Sequence, residues 1–278
     1  MNIVIIGLGL IGGSLGLALK GFQTRIIGVD ANPEHCKQAI ELGLVENVMP
    51  LEEAIKIADL ILLAIPVNYI VILLPEILDK INDNAVVADM GSTKSLICNA
   101  VRKHSRRKNF VASHPIAGTE NTGPAAAFNT LYDKKITIIC EKKLSADFAI
   151  SMVVKMYQLL NMQILFMEPE SHDRHIAYVS HISHISSFML GLTVLEIEKS
   201  EKTIFNMAGS GFASTVRLAK SSPDMWNPIF EQNSKHIVKA LDAYIQKLSE
   251  FKKHIEDNQW EDLHHMMKTA NGIRRILK

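Results

Sequence analysis

Seven short apolar runs punctuate the first half of the chain: Ile3–Ile6, Ile26–Val29, Leu60–Ala64, Ala85–Ala88, Phe110–Ala112, Ile136–Cys140 and Ile164–Phe166. Their length and β-branched content mark them as strands buried on both faces. Amphipathic stretches such as Glu34–Leu42, Leu51–Ile57 and Ser95–Lys103 separate several of them. Strands alternating with helices of this size predict parallel pairing through right-handed crossovers, hence a doubly wound α/β sheet.

After about Glu168 the strand signal stops and helical periodicity takes over. Phe230, Ile237, Leu241, Tyr244, Leu248, Phe251 and Ile255 form one a/d-type stripe, and Trp260, Leu263, Met267, Ala270, Ile273 and Leu277 form another. Such stripes suit a bundle core or a helix–helix interface between two copies. Two this long exceed what a small bundle needs, so a homodimer built on the helical half is expected. Ser222-Pro223 reads as a helix start with Pro at the first helical position.

With 278 residues, 47% of them hydrophobic and 21% charged, the chain can bury a substantial core and suggests two domains. Thirty basic and 29 acidic residues leave no overall basic footprint, so nucleic acid is not an expected partner. The one basic run, Arg102 to Lys108, reads as a solvated helix end. Cys36, Cys98 and Cys140 are odd in number and widely spaced, which fits a reducing, cytoplasmic setting and offers neither a disulfide framework nor a CxxC site. Ile3 to Leu19 is uncharged, but its five glycines and the lack of a basic n-region argue for strand, turn and helix over signal peptide or membrane span.

Gly7-Leu8-Gly9-Leu10-Ile11-Gly12 follows the first strand directly and opens a helix, and Asp30 stands at the end of the next strand. The first glycine permits a tight turn, the second lets backbone approach a pyrophosphate, and the third lets helix pack on strand. Asp30 would accept from a ribose 2′-hydroxyl. A lone GxGxxG can be a mere Gly-rich turn; here strand, helix and acidic residue agree on a Rossmann-type dinucleotide site. NAD is expected over NADP, because a carboxylate repels a 2′-phosphate and Ala31-Asn32-Pro33 offers no arginine. The expected organisation is a dinucleotide-binding domain over 1–168 and an all-helical substrate and dimerisation domain over 169–278.

Three polar segments lie where a hydride-transfer site would need them. Asp89–Lys94 and Ser113–Glu120 each follow a strand, at the carboxyl edge where ligands bind in such sheets, and His172 to His184 opens the helical half. Gly7–Ser14 (GLGLIGGS), Asp89–Lys94 (DMGSTK), His114–Gly123 (HPIAGTENTG), Ser180–His184 (SHISH) and Gly209–Trp226 together resemble the signatures of the prephenate and arogenate dehydrogenase family, in the family's order and over essentially the whole chain. The resemblance implies NAD-dependent oxidative decarboxylation of prephenate, or alternatively of arogenate. One departure is Ser214, where the family often carries an acidic residue three positions before its substrate arginine; an ion pair orienting that arginine is therefore in question. With the helical half running to Lys278, no fused mutase or C-terminal regulatory domain is expected. Feedback by tyrosine would then act through the substrate cleft or the dimer interface.

The chemistry asks for matching residue types. Oxidising a ring carbinol requires a base for the hydroxyl proton, and His114, with an ordinary pKa of about 6.5, is the candidate. Ser92 is the expected hydrogen-bond partner orienting it and the nicotinamide. A guanidinium fork suits the ring carboxylate, which points to Arg217. His181 is expected to face the substrate cleft, and Thr119 and Glu120 to shape it. Without the resemblance, His114 could be a structural hydrogen-bonder and Arg217 a surface ion-pair residue. At about 100° per residue His172 and His175 would point away from His181 and His184, so no metal site is expected. Other readings are a β-hydroxyacid dehydrogenase, which would need a catalytic lysine in the helical half, and an NAD-binding regulator, which would need no base.

Overall fold

The computed structural model describes residues 1–276. Eight strands form one sheet in the order β3-β2-β1-β4-β5-β6-β7-β8. They are β1 (Asn2–Ile6), β2 (Arg25–Val29), β3 (Asn47–Val48), β4 (Leu60–Leu63), β5 (Val86–Asp89), β6 (Phe110–Pro115), β7 (Ile136–Cys140) and β8 (Gln163–Met167). Helices α1 (Leu10–Leu19), α2 (Pro33–Glu41), α3 (Leu51–Ile57), α4 (Val67–Lys80), α5 (Ser95–Val101) and α6 (Asp147–Leu159) flank the sheet. Two apolar clusters cover its faces. One gathers Leu15, Leu19 and Tyr157 over Ile3, Ile5 and Val86; the other sets Ile70, Leu74 and Ile97 against Val4, Ile61 and Val87. Alternate residues of each strand thus serve opposite layers, which is why these strands read as continuous apolar runs rather than alternating ones.

Two features differ from the sequence reading. The pairing is not parallel throughout, since β7 runs antiparallel to β6. The connection from β6 to β7 contains only loop and a single 3₁₀ turn, Pro124–Ala126, and returns the chain along its neighbour without a helical crossover. The Arg102–Lys108 run is also not simply solvated. Arg107 is buried, its guanidinium 3.1 Å from Glu141 and stacked over the Phe110 ring, while Arg102 pairs with the same carboxylate.

Beyond β8 the chain is helical: α7 (Pro169–Ile176), a π-helical turn (Ala177–His181), α8 (Ile182–Glu198), α9 (Ser210–Val216), α10 (Pro223–Gln232), α11 (Ser234–Glu256) and α12 (Trp260–Ala270). Pro223 opens α10 at its first turn, where a missing N–H costs nothing. Of the first apolar stripe, Ile237 is buried against Ala177 and Ala240, yet Leu248 and Ile255 farther along α11 are exposed. In the second stripe Leu263 is buried while Trp260, Met267 and Ile273 are exposed, and Leu277 lies outside the described residues. Only the first turns of α11 therefore serve the core of this chain. None of the described helices is long and apolar enough to cross a membrane.

Candidate active site

The order of the sheet reverses between β1 and β4, the switch point at which a doubly wound sheet opens a crevice at its carboxyl edge. Gly7 turns the chain there with φ +95°, and a Cβ on it would stand 2.4 Å from the Ala64 carbonyl oxygen. Gly12 touches the same turn, its notional Cβ 1.8 Å from the Gly7 oxygen. Gly9 is different: the nearest atom to a Cβ there would be the Gly123 nitrogen, 4.0 Å away. The third position closes packing and the second leaves open space. Leu8 and Leu10 are buried and Ile11 packs against the core, so these three offer a ligand only backbone. The first N–H groups of α1 have no intrahelical partner, and its first turn holds no acidic residue, which suits a pyrophosphate. Asp30 accepts from the Leu8 N–H at 2.8 Å and from the Asn32 N–H at 2.8 Å, with His35 Nδ1 3.4 Å from its carboxylate. The carboxylate therefore fixes the glycine turn and stands at the tip of β2 where a ribose would lie. These residues fit NAD.

Farther along the same edge, β5 and β6 lie in register and present Asp89 and His114. Behind His114 the strand is firmly held. Lys94, fully buried, donates to the Asp89 carboxylate and to the Ser113 carbonyl at 2.6 Å, and the Ser113 hydroxyl bridges the Asp89 carbonyl and the Tyr157 hydroxyl. His114 Nδ1 lies 2.8 Å from His172 Nε2, and His172 Nδ1 lies 2.8 Å from the Asp173 carboxylate. Asp173 in turn accepts from the Lys94 and Ser95 N–H groups at the start of α5. His114 Nε2 has no hydrogen-bond partner among the described residues, yet it is not one of the sealed polar atoms, so it keeps access to the cleft. Burial, reinforced by His172, Lys94 and His181, holds the His114 imidazole well below its ordinary pKa and hence neutral near pH 7.

The expected partner of His114 is thus replaced. Ser92 is half-buried and makes no side-chain hydrogen bond to His114; His172, to which the sequence assigned no role, occupies that place. Arg217 pairs with Glu120, in the loop that follows His114. The question raised by Ser214 is answered there, because the orienting acid comes from the loop after β6 while the Ser214 hydroxyl merely bonds the Gly211 carbonyl. Thr119 is exposed beside Glu120 and accepts from the Asn121 N–H.

His181 does not face the cleft as expected. It is fully buried, edge-on to Trp226 at 5.7 Å, with Nδ1 3.2 Å from Asn233 Nδ2, and burial lowers its pKa to about 4. The π-helical turn explains this. Its extra residue per turn rotates the start of α8 relative to α7, so His172 and His181 are not on opposite faces: Asn233 Nδ2 reaches both the Asp173 carbonyl, at 2.7 Å, and His181. His184, half-buried, lies over the Trp226 ring at 3.7 Å between centroids.

Two family models match the chain: "Prephenate dehydrogenase, nucleotide-binding domain" over residues 14–166 and "Prephenate dehydrogenase, dimerization domain" over residues 168–269. Prephenate dehydrogenase of Bacillus subtilis is 30% identical over 98% of this chain and 75% of its own length. The structure is similar to that of prephenate dehydrogenase from A. aeolicus in complex with hydroxyphenyl propionate and NAD+, with a TM-score of 0.88 and 30% identity over 100% of this chain and 98% of that one. It is also similar to Synechocystis arogenate dehydrogenase, with a TM-score of 0.79 and 26% identity over 100% of both chains.

Proposed function

The chain belongs to the prephenate dehydrogenase family, and on that premise we propose how its residues carry out the NAD-dependent oxidative decarboxylation of prephenate to 4-hydroxyphenylpyruvate and carbon dioxide. The observation that carries the assignment is His114: a neutral imidazole fixed at Nδ1, with Nε2 open at the carboxyl edge of the sheet. Bound NAD supplies the hydride acceptor. The N-terminus of α1 and the open backbone at Gly9 would receive its pyrophosphate, and Asp30 would accept from its ribose. His114 Nε2 takes the ring hydroxyl proton as the carbinol hydrogen departs, and Arg217, oriented by Glu120, holds the ring carboxylate until carbon dioxide leaves. Ser92 and Thr119 supply further polar groups at the same edge.

The β-hydroxyacid reading requires a catalytic lysine. In the helical half, where that reading needs the lysine, the side chain bonded to His114 is His172. A dimer through the helical half is supported by Leu248, Ile255, Trp260 and Met267, which lie exposed on α11 and α12. A cytoplasmic location fits three unpaired cysteines. The reading is tested by following NADH formation and carbon dioxide release with prephenate and, separately, arogenate. Turnover with prephenate supports it; turnover with arogenate alone moves the specificity to the amino substrate, and none with either overturns it.

A further inference from the structure

We propose that His172 and Asp173 are positioning residues that fix the tautomer of His114 and so deliver an unprotonated Nε2 to the substrate. Asp173 anchors the chain of hydrogen bonds. Its two oxygens accept from the Lys94 and Ser95 N–H groups at 2.8 Å each, so the carboxylate is ionised and fixed at the start of α5. Two hydrogen bonds, from His172 and Ser95, hold its carboxyl below the usual range despite burial. An ionised carboxylate can only accept, so the 2.8 Å contact to His172 Nδ1 places a hydrogen on that nitrogen.

His172 is fully buried, and burial keeps it from taking a second proton. Its Nε2 is therefore a lone-pair acceptor. The atom 2.8 Å away is His114 Nδ1, which must then carry its hydrogen, and the remaining nitrogen of His114, Nε2, is the unprotonated one. Each assignment forces the next. Reversing any one of them would set two hydrogens or two lone pairs against each other inside a sealed region, at the cost of a buried unmade hydrogen bond.

The same chain serves the reaction. When the substrate hydroxyl proton passes to His114 Nε2, the ring becomes an imidazolium whose Nδ1–H points at His172. The new positive charge is then shared along Nδ1–H to His172 and faces the Asp173 carboxylate beyond it. When carbon dioxide leaves, its electron pair passes through the ring to the oxygen, and the phenolate so formed takes the proton back from His114 Nε2, restoring the neutral imidazole. A carboxylate acting through an imidazole on a base in this way follows the logic of the hydrolase triads, with a second histidine interposed.

The proposal rests on His114 being the base, and its test separates the two. In the NAD-bound enzyme labelled with ¹⁵N-histidine, the His114 resonances, identified with His114→Asn, report the tautomer without any turnover. The expected state has hydrogen on Nδ1 only; hydrogen on Nε2 in the native enzyme overturns the proposal. His172→Leu removes the acceptor and is expected to lower kcat about 10- to 100-fold, with KM for prephenate and the NAD dissociation constant nearly unchanged. His172→Gln, whose amide oxygen can accept from His114 Nδ1–H, should recover much of that loss, whereas a purely packing role would leave Gln no better than Leu. Normal turnover in His172→Leu, with His114→Asn inactive, defeats the relay and spares the base. Normal turnover in His114→Asn defeats the base and the relay with it.

Discussion

Glu120 and Arg217, 97 positions apart in the chain, meet as an ion pair between the loop after β6 and the end of α9. One half of the molecule thereby aims a cation supplied by the other. Arg217 is half exposed, so its pairing contributes little to folding; on the proposed function it presents the guanidinium to the substrate carboxylate.

Arg217→Ala should therefore appear mainly as a raised KM for prephenate. Loss of a charge-assisted contact of this kind typically lowers kcat/KM by roughly 30- to 1000-fold, and the exposure of Arg217 favours the lower end. Glu120→Gln should give a smaller defect of the same kind, because the arginine remains but is less well aimed. Steady-state kinetics decide the matter: a pure kcat effect in Arg217→Ala would mean that the side chain acts on the chemistry and not on substrate retention.

The glycine turn predicts a contrast between two small substitutions. Gly7→Ala forces a positive φ on a residue with a Cβ and drives that atom into the Ala64 carbonyl, so the protein should unfold at lower temperature or fail to accumulate. Gly9→Ala meets nothing within contact distance and should melt like the native protein while binding NAD more weakly, because the added methyl fills the space left for phosphate. Equal melting temperatures for the two would contradict this reading of the turn. Asp30→Ala should also weaken NAD and narrow its preference over NADP, as measured by titration with each.

Much of this was legible in the sequence, for physical reasons. Strands buried on both faces announce themselves as apolar runs, and GLGLIG with Asp30 marks the cofactor edge because backbone geometry restricts which residues can stand there. The direction of β7 was not legible, because an apolar run is the same read either way. Helix α4 carries Pro75 within it, which interrupts a simple helical pattern. His172 and Asp173 were missed because their partners lie far off in the chain, His114 58 positions away and the Lys94 and Ser95 N–H groups 79 and 78; nothing local in the sequence announces the π-helical turn that follows them. The Glu120–Arg217 pair was hidden by its separation, and Ser214 drew attention to the wrong neighbour.

Acid should destabilise the fold through its neutral histidines. His181 titrates near 6.5 when unfolded and at about 4 when folded, so the unfolded chain binds more protons between those values. The stability from neutral burial is fully present above pH 6.5 and is lost as pH falls toward 4. His181 alone accounts for on the order of 3 kcal/mol across that window, and His114 and His172 act in the same direction. Urea midpoints should fall on acidification, less steeply in His181→Asn; a flat profile from pH 6.5 to 4 would contradict the burial of these rings as neutral species.

The uncovered apolar side chains of α8, α11 and α12 predict self-association. Sedimentation equilibrium at micromolar protein should show a species of twice the 31.0 kDa chain mass. Leu248→Glu, at an exposed position on α11, should shift it toward the monomer without loss of helical content. A native protein that sediments only as the single chain would leave these faces unexplained.

The base is the centre of the mechanism, and His114→Asn tests it most directly. The amide nitrogen of Asn can still donate toward His172, so the surroundings are preserved while the proton acceptor is lost. Measured with saturating NAD, kcat should fall by roughly 10²- to 10⁴-fold, with KM for prephenate and the NAD dissociation constant almost unmoved. Turnover within a few-fold of the native enzyme would show that the hydroxyl proton leaves by another route and would contradict the assignment.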